Sequence, residues 1–543
     1  MERLRAGSGP PLTFLPLPCY TYGMIDLLAE APALPDIQIA PTEDQDAEAA
    51  LDPPYRVVTL FHLLPRLLFG HRAEPPTYAL VEWLFIRILG LIYFMAFASL
   101  AVQITGLIGS HGILPARDYL QAIYDRFGSQ SYGLAPTVFW LNSGDAFMKV
   151  VCGAGAVLAL LLIAGYAQRL ILIALFLLYL SLVSVGQDFL AFQWDALLLE
   201  TGFLSIFLGA SPRVIWLFRW LLFRLTFLSG AVKLLSGDPA WRSLTALTYH
   251  YETQPLPTPL AWHMHQLPAG FQKLSVAAIF CIELGVPFLI LAPRRLRFFA
   301  AAAIVFLQTL IGLTGNYAFF NLLTLALCVF LLDDAALRRW FPDRLAQALL
   351  TRQANRKASP AGRWIAAGVA VLIVLVGGFQ IVQAFRGAAP RPVRVVMNWV
   401  APFQIVNPYG LFAVMTTSRP EIIVEGSSDG RTWLTYGFKY KPGDVTRPPG
   451  WVAPYQPRLD WQMWFAALGT CYDNPWFVNF MLRLLQGSPD VLALLGKNPF
   501  PDAPPLYIRA LVYDYHFTDL ATRRAETTWW RREPMGVYAC RFS

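Results

Sequence analysis

The stretch FRWLLFRLTFLSGAVKLLSGDPAWRSLTALTYHYETQPLPTP, from Phe218 to Pro259, decides how this chain folds. Its first half is apolar but carries Arg224 and Lys233, and its second half is polar and aromatic and ends in three closely spaced prolines. A charged group in hydrocarbon is costly, so it usually faces the interior of a helical bundle and is paired there. The stretch therefore predicts a membrane-spanning helix followed by a loop at the membrane surface.

A second apolar run with internal charges lies just upstream. WDALLLETGFL, residues 194–204, places Asp195 and Glu200 among leucines. We expect Asp195 and Glu200 to pair with Arg224 and Lys233 across two adjacent helices. The four charges have two interpretations: a structural ion-pair network, or a functional polar site beneath the loop.

The composition of the whole chain indicates a membrane protein. The 543 residues are 56% hydrophobic and only 14% charged, and the mean hydropathy is +0.46. These values are too apolar for a soluble globular protein. The net charge of +8 does not indicate nucleic-acid binding, because the basic residues fall mainly in short loops between apolar runs.

The apolar runs predict about nine membrane spans, each approaching the roughly 20 residues that cross a bilayer. The expected runs are 79–105, 148–166, 169–187, 189–210, 214–235, 271–292, 297–315, 317–333 and 364–386. Lys and Arg concentrate in alternate loops, which by the positive-inside rule places the N-terminus in the cytoplasm. An odd number of spans then places the C-terminal domain outside the cytoplasm.

The chain divides into three predicted regions. Residues 1–75 read as a disordered linker, and residues 76–388 as a transmembrane helical bundle with outer loops 106–147 and 236–270. Residues 389–543 read as an extracytoplasmic α+β domain. Within it we expect strands in PVRVVMNWV and on both sides of a Ser-Asp-Gly turn in EIIVEGSSDGRTWLTYGF, and a helix in RLDWQMWFAALG.

Aromatic residues of the second outer loop and of the predicted helix suit protein recognition. The candidate client-binding residues are Trp241, Tyr249, His250, Tyr251, Glu252, Trp461, Trp464 and Phe465. No third ligand is apparent near His250 and Glu252, so we expect neither a metal nor a cofactor. Cys471 and Cys540 are candidates for a disulfide if their region is extracytoplasmic.

Several long motifs resemble the lipase maturation factor family. They are WDALLLETGFL, GDPAWRSLTALTYHYETQPLPTPLAW and GNYAFFN in the membrane part, and VNPYGLFAVMTTSRPEIIVEGSSDGRTW and QPRLDWQMWFAAL in the C-terminal part. The resemblance implies a polytopic membrane protein that helps secreted lipases reach their active fold, with client contact through the outer domain. The membrane part is also distantly similar to the helical bundle of vitamin K-dependent gamma-carboxylase.

The sequence and the resemblance support two hypotheses about function, which belong to different classes. The first is a chaperone-like maturation factor with secreted lipases and membrane lipid as partners, since the chain shows no GxSxG, HExxH or P-loop motif. The alternative is an integral-membrane enzyme acting on a lipid, a quinone or a client polypeptide, with Asp195, Glu200, Arg224, Lys233 and His250 as its catalytic candidates. The short loops and the Ala, Leu and Arg usage favour a bacterial inner membrane over the endoplasmic reticulum.

Overall fold

The computed structural model describes residues 76–355, 359–387 and 390–538. The predicted linker 1–75 and Cys540 lie outside these residues. In chain order the first seventeen α-helices are α1 (Ala79–Ala101), α2 (Ile104–Ile108), α3 (Ala116–Phe127), α4 (Ser131–Leu134), α5 (Asp145–Ala164), α6 (Gln168–Val185), α7 (Gln193–Ser205), α8 (Val214–Leu235), α9 (Pro239–Arg242), α10 (Ala246–Thr253), α11 (Pro259–His265), α12 (Ala269–Phe280), α13 (Arg294–Thr314), α14 (Phe320–Cys328), α15 (Asp334–Leu337), α16 (Asp343–Ala354) and α17 (Pro360–Arg386).

Helix α12 continues as a π-helix over Cys281–Gly285 and a 3-10 helix over Val286–Leu291. With this extension, seven described helices are long and apolar enough to cross a bilayer, or eight if the bent pair Phe320–Leu331 and Asp334–Trp340 counts as one span. The seven are α1, α5, α6, α8, α12 with its extension, α13 and α17.

The bundle has two chemically different ends. We call the end that contacts residues 405–538 the sheet end, and the opposite end, which carries Arg169, Arg219, Arg294 and Arg297, the basic end. The short helix α7 runs between them: Asp195 in its first turn binds Arg458, and the carbonyl of Ile206 just past its last turn accepts from Arg169.

Helix α14 also runs from the sheet end to the basic end. Asn316, before the helix, accepts hydrogen bonds from the backbone of Val452 and Ala453, whereas the carbonyl of Leu331, after it, accepts from Arg297. The described helices thus provide seven spans, or eight with the bent pair that begins in α14, against the nine that the sequence predicts, because α7 has only 13 residues and is too short to cross a bilayer alone.

Close helix packing in the bundle depends on small residues. The neighbouring helices α1 and α5 approach so closely that a Cβ at Gly155 would lie only 2.3 Å from the ring of Phe97. Elsewhere the core is aromatic, as where the rings of Phe218 and Phe330 stack at 4.2 Å. The same hydrophobic cluster continues without a break into the C-terminal part.

The C-terminal part combines a small sheet with short helices, as the predicted α+β class requires. Strands β1 (Pro420–Ser427), β2 (Leu434–Thr435), β3 (Tyr507–Phe517) and β4 (Trp530–Val537) form an antiparallel sheet in the order β2-β1-β3-β4. The remaining helices are α18 (Arg391–Val400), α19 (Arg458–Leu468), α20 (Pro475–Leu485), α21 (Pro489–Leu492) and α22 (Leu520–Glu526). The domain boundaries at 76, 388 and 389 stay a prediction.

Local sequence signals in this part are mostly confirmed. The Ser-Asp-Gly turn joins β1 to β2, and the Asp429 carboxylate accepts from the backbone of Arg431 and Thr432. The strand expected in PVRVVMNWV is wrong, because this segment forms the helix α18. Its polar residues Arg391, Arg394 and Asn398 recur at helical spacing, and that period prevails over the short alternation.

Candidate functional site

Glu200 and Arg224 form the ion pair that the sequence predicted between α7 and α8, and both side chains are fully buried. The pair also holds a non-helical segment inside the bundle. Arg224 donates to the carbonyl of Asn407 at 3.1 Å, and Glu200 accepts from the Asn407 amide and the Tyr409 hydroxyl, both at 2.8 Å. Non-helical backbone at this depth is tolerated where protein groups satisfy it.

Asp195 does not pair within the bundle. Its carboxylate binds both terminal nitrogens of Arg458, the first residue of α19, at 2.8 Å each. The side chains of Asp195 and Arg458 are 0% and 1% exposed. This bidentate pair therefore joins the bundle to the C-terminal part, and the expectation that Asp195 pairs between adjacent helices is wrong.

Lys233 also has a different partner from the one expected. Its ammonium lies 2.6 Å from the carboxylate of Glu283, which is carried by the π-helix that continues α12. A Cβ at position 230 would lie 2.8 Å from that of Glu283, so Gly230 permits the approach. The four expected charges are thus divided among three ion pairs rather than gathered in one site.

The loop 236–270 is folded and fixed to the C-terminal part. Asp238 caps α9 by accepting from the Ala240 and Trp241 amides, and it also accepts from the Met415 amide at 3.0 Å. The buried Arg419 guanidinium donates to the carbonyls of Glu252, Gln254 and Pro255. These three hydrogen bonds to one guanidinium fix the backbone conformation of the segment after α10.

Helix α10 carries the candidate residues Tyr249, His250, Tyr251 and Glu252. On a helix, His250 and Glu252 do not share a face as they would on a strand. His250 faces Tyr317, whose hydroxyl is 3.1 Å from Nε2 and donates to Gln254 at 2.9 Å. Because the single hydroxyl hydrogen of Tyr317 is used in the bond to Gln254, the hydrogen in the bond between Tyr317 and His250 must be on Nε2 of His250. Burial, and then the charge of Lys233, lower the pKa of His250 to about 4.

Glu252 faces two histidines that are distant from it in sequence. Its carboxylate accepts from the Phe517 amide at 2.9 Å, and it lies 3.7 Å from Nε2 of His265 and 3.6 Å from Nδ1 of His516. Burial lowers the pKa of His265, although the Glu252 charge opposes this shift. His516 was not a candidate from the sequence, and no local pattern around it could have identified its partner.

The aromatic candidates do not form an exposed surface. Trp241, Tyr251, Trp461 and Trp464 are between 3% and 7% exposed, whereas Phe465 is 37% exposed. The Trp464 indole donates to the carbonyl of Thr253 and the Trp241 indole to that of Phe412. These aromatics therefore fill the junction between the loop and the C-terminal part, where their large apolar area is buried.

The charges of the C-terminal part are also more buried than surface ion pairs would be. Arg419, Glu421, Arg458 and Asp460 are all at most 2% exposed. Glu421 binds Arg419 and Lys441, both at 2.8 Å. The sequence signals of this burial are the apolar neighbours: Leu459 and Trp461 flank Asp460, and two isoleucines follow Glu421.

The structure also bears on the predictions about metal binding and about the disulfide. His111, Asp145 and Asp490 bring one ligand atom each within 4.8 Å of one another, although the sequence predicted no metal site. Cys471 is disulfide-bonded. Since Cys540 lies outside the described residues, its pairing with Cys471 stays a prediction.

The seven or eight apolar spans and the attached sheet define the class of protein: a polytopic helical membrane protein with a C-terminal α+β region held to the bundle by buried charges. Comparison with known families then gives its family. The Lipase maturation factor transmembrane domain matches residues 80–339, and the Lipase maturation factor C-terminal domain matches residues 405–540. The chain belongs to the lipase maturation factor family.

Relatives of both named types are similar over most of their length. Lipase maturation factor 2 of Gallus gallus is 39% identical, covering 83% of this chain and 79% of the relative. Lipase maturation factor 2 of Xenopus laevis is 38% identical, covering 81% and 79%, and Lipase maturation factor 1 of Bos taurus is 36% identical, covering 86% and 90%. No solved structure matches. These animal relatives do not support the preference for a bacterial membrane, and they do not favour the enzyme alternative.

Proposed function

We propose that this chain is a membrane-bound maturation factor that assists the folding or assembly of secreted lipases. The observation that carries the proposal is the match of both lipase maturation factor domains, in order, to residues 80–339 and 405–540. The relatives named Lipase maturation factor 1 and 2 supply the client class.

The proposed orientation places the basic end in the cytoplasm and the sheet end outside it. Support comes from the charge distribution, because Arg294, Arg297 and Arg338 flank spans at the basic end. Positive residues favour the cytoplasmic side. A client outside the cytoplasm would then meet the C-terminal part.

The buried ion pairs suggest how that part would act. Arg458 and Arg419 fix it to the bundle and to the loop 236–270, so a bound client would face a surface of defined position relative to the membrane. Preorganised surfaces bind with a smaller entropic cost than mobile ones. We therefore assign client contact to an exposed part of a rigid element rather than to the buried aromatics.

The exposed edge of α19 is the proposed contact. Phe465 and Leu468, which are three residues apart on this helix, are 37% and 41% exposed. Buried aromatics Trp461 and Trp464 support Phe465 from below, with ring centroids 6.5 and 4.9 Å from its own. Exposed apolar side chains on a rigid base are typical of protein contact sites.

The maturation role is tested by expressing a panel of secreted lipases in cells with and without this chain. The measurement is secreted lipase activity per molecule of secreted lipase. We expect the chain to raise this specific activity for at least one lipase. If no lipase gains activity, the proposed function is wrong.

The contact surface is tested separately in the same cells. The double variant Phe465→Ser/Leu468→Ser should lower the gain about tenfold, the loss of roughly 1.4 kcal/mol of binding. Leu506→Ser is the control, because Leu506 is 72% exposed and lies outside α19. An unchanged gain, with equal amounts of each variant in the membrane, would exclude this edge of α19 but not the maturation role.

A further inference from the structure

A cleft of about 590 Å³ lies between the end of α11 and the connection from β3 to β4. Its volume is within the range of small-molecule sites. The proposed lipase contact on α19 does not include it. The side chains that line it are His263, Leu520, Arg523, Arg524, Thr527 and Trp529.

The two walls of the cleft are fixed to one another. Gln266, after α11, donates to the carbonyl of Thr518 at 3.1 Å, and the Thr518 hydroxyl donates to the carbonyl of Thr528 at 2.8 Å. The Trp529 amide donates to Val445 at 2.9 Å. The residues that carry the lining side chains therefore keep their spacing without a ligand.

Arg523 is held by aromatic stacking within this frame. The central carbon of its guanidinium lies 3.5 Å from the centroid of the Trp529 ring and 5.1 Å from that of Trp262. Stacking occupies the faces of a guanidinium and leaves the N–H donors at its edge available for a bidentate acceptor such as phosphate.

The lining is cationic and lacks a compensating acid. Its charged side chains are Arg523 and Arg524, with His263 as a further donor, and none of the six lining residues is acidic. Within the part of the chain that the structure describes, neither arginine forms a salt bridge. The nearby Asp519 is engaged in capping α22 through the Thr522 amide. The cleft therefore has the charge to hold an anion.

The position of the cleft indicates which anion it would meet. His263 is on α11, and Pro268 directly precedes Ala269, where a membrane span begins. The apolar side chains of Leu267 and Phe271 are 37% and 45% exposed beside it. Arginine and tryptophan at the end of a span are typical of the headgroup layer of a bilayer.

We propose that this cleft binds the phosphate of an anionic phospholipid headgroup, with Arg523 and Arg524 as its ligands. The apolar Leu520 at the cleft and Leu267 and Phe271 on the adjoining span would contact the lipid's apolar part. Binding would fix the loop 236–270 against the membrane surface.

The test uses the full-length protein purified in a neutral detergent. Its thermal unfolding is followed while phosphatidylglycerol, phosphatidylcholine or inorganic phosphate is added. We expect phosphatidylglycerol to raise the unfolding temperature at lower concentrations than either other addition. Arg523→Gln/Arg524→Gln should raise the phosphatidylglycerol concentration for half of the effect about tenfold.

Arg431→Gln, in the exposed turn between β1 and β2, is the matched control and should respond as the unchanged protein does. Arg524→Gln alone keeps the stacked Arg523 and should give a smaller shift in the same direction. Equal stabilisation by the two lipids, or an unchanged response of the double variant, would overturn the proposal. Inorganic phosphate acting as well as the lipid would assign the cleft to free phosphate, and a loss of lipase maturation with an unchanged lipid response would assign it to a protein client.

Discussion

The two ends of the bundle use arginine in opposite ways. At the sheet end, arginine side chains bind buried carboxylates: Arg224 with Glu200, Arg419 with Glu421 and Arg458 with Asp195. At the basic end, arginines donate mainly to backbone carbonyls at the ends of helices: Arg169 to Ile206, Arg219 to Phe330 and Arg297 to Leu331. One residue type thus joins two regions at one end and completes helix ends at the other.

The difference follows from the groups available at each end. Helix C-termini leave several carbonyls without intrahelical partners, and a guanidinium satisfies them without needing a second charge. At the sheet end buried carboxylates lie within reach of the arginines, and each ion pair offsets the loss of hydration of its two charges. The sheet end should therefore be the more sensitive to removal of a single side chain.

The largest expected effect is that of Arg458→Met. It leaves the fully buried Asp195 without its cation, which typically costs about 3–5 kcal/mol. The matched change at the basic end, Arg297→Met, removes a 2.8 Å bond to Leu331, while Asp333 keeps Arg294. It should cost about 1–2 kcal/mol. The free energies of unfolding in detergent would be compared.

A double variant distinguishes a lost pair from lost packing. Asp195→Asn/Arg458→Met removes both charges and should lose less stability than the sum of its two single variants. Additive losses, or equal losses for Arg458→Met and Arg297→Met, would contradict the distinction between the two ends.

A middle-sized effect is expected at the break between α13 and α14. The buried Asn316 side chain makes four hydrogen bonds, to the backbone of Leu256, Gly450, Val452 and Ala453. The Asn321 side chain, in the first turn of α14, forms hydrogen bonds only with Gln308 among the described residues. Asn316→Ala should cost about 2–3 kcal/mol and Asn321→Ala about 1 kcal/mol.

Both asparagine variants would be measured by the midpoint of denaturant unfolding. The comparison matters because both asparagines lie beside helix ends, where a purely local capping role is common. If the two losses are equal, Asn316 has only such a local role and does not help to join the bundle to the C-terminal part.

The smallest expected effect is a pH dependence at the sheet end. The pKa of His250 is lowered to about 4 in the folded state, whereas it is about 6.5 in the unfolded chain. The folded state therefore binds the proton of His250 more weakly than the unfolded state does. The resulting stability is fully present above pH 6.5 and is lost as the pH falls to about 4. Thermal unfolding would be measured across this window.

His250→Gln removes the titrating group, so it should reduce the acid loss of unfolding temperature by a few degrees. His111→Gln is a control, since His111 is exposed and lies at the separate loop 106–147. An acid dependence that is identical in the His250 variant and the unchanged protein would show that other groups cause it.

Several features of the site could be predicted because their causes are local. Asp238 caps α9 as its position before Pro239 suggests, and the pair of Glu200 and Arg224 forms between adjacent helices. The helix α18 could not be recognised, since a ten-residue segment with both alternating and helical spacing is ambiguous. The burial of Trp461 and Trp464 depends on what packs over them, which no neighbouring residue reveals.

The sequence by itself determined the membrane class, the α+β class of the C-terminal part and the family, because hydrophobic period, turn residues and long motifs can be read over short distances along the chain. Only the tertiary structure decided the partners of Asp195 and Lys233, the two histidines beside Glu252 and the three carbonyls around Arg419. A buried charge must find an opposite charge or a polar group, but many residues qualify. Which one it finds depends on how distant segments meet in space.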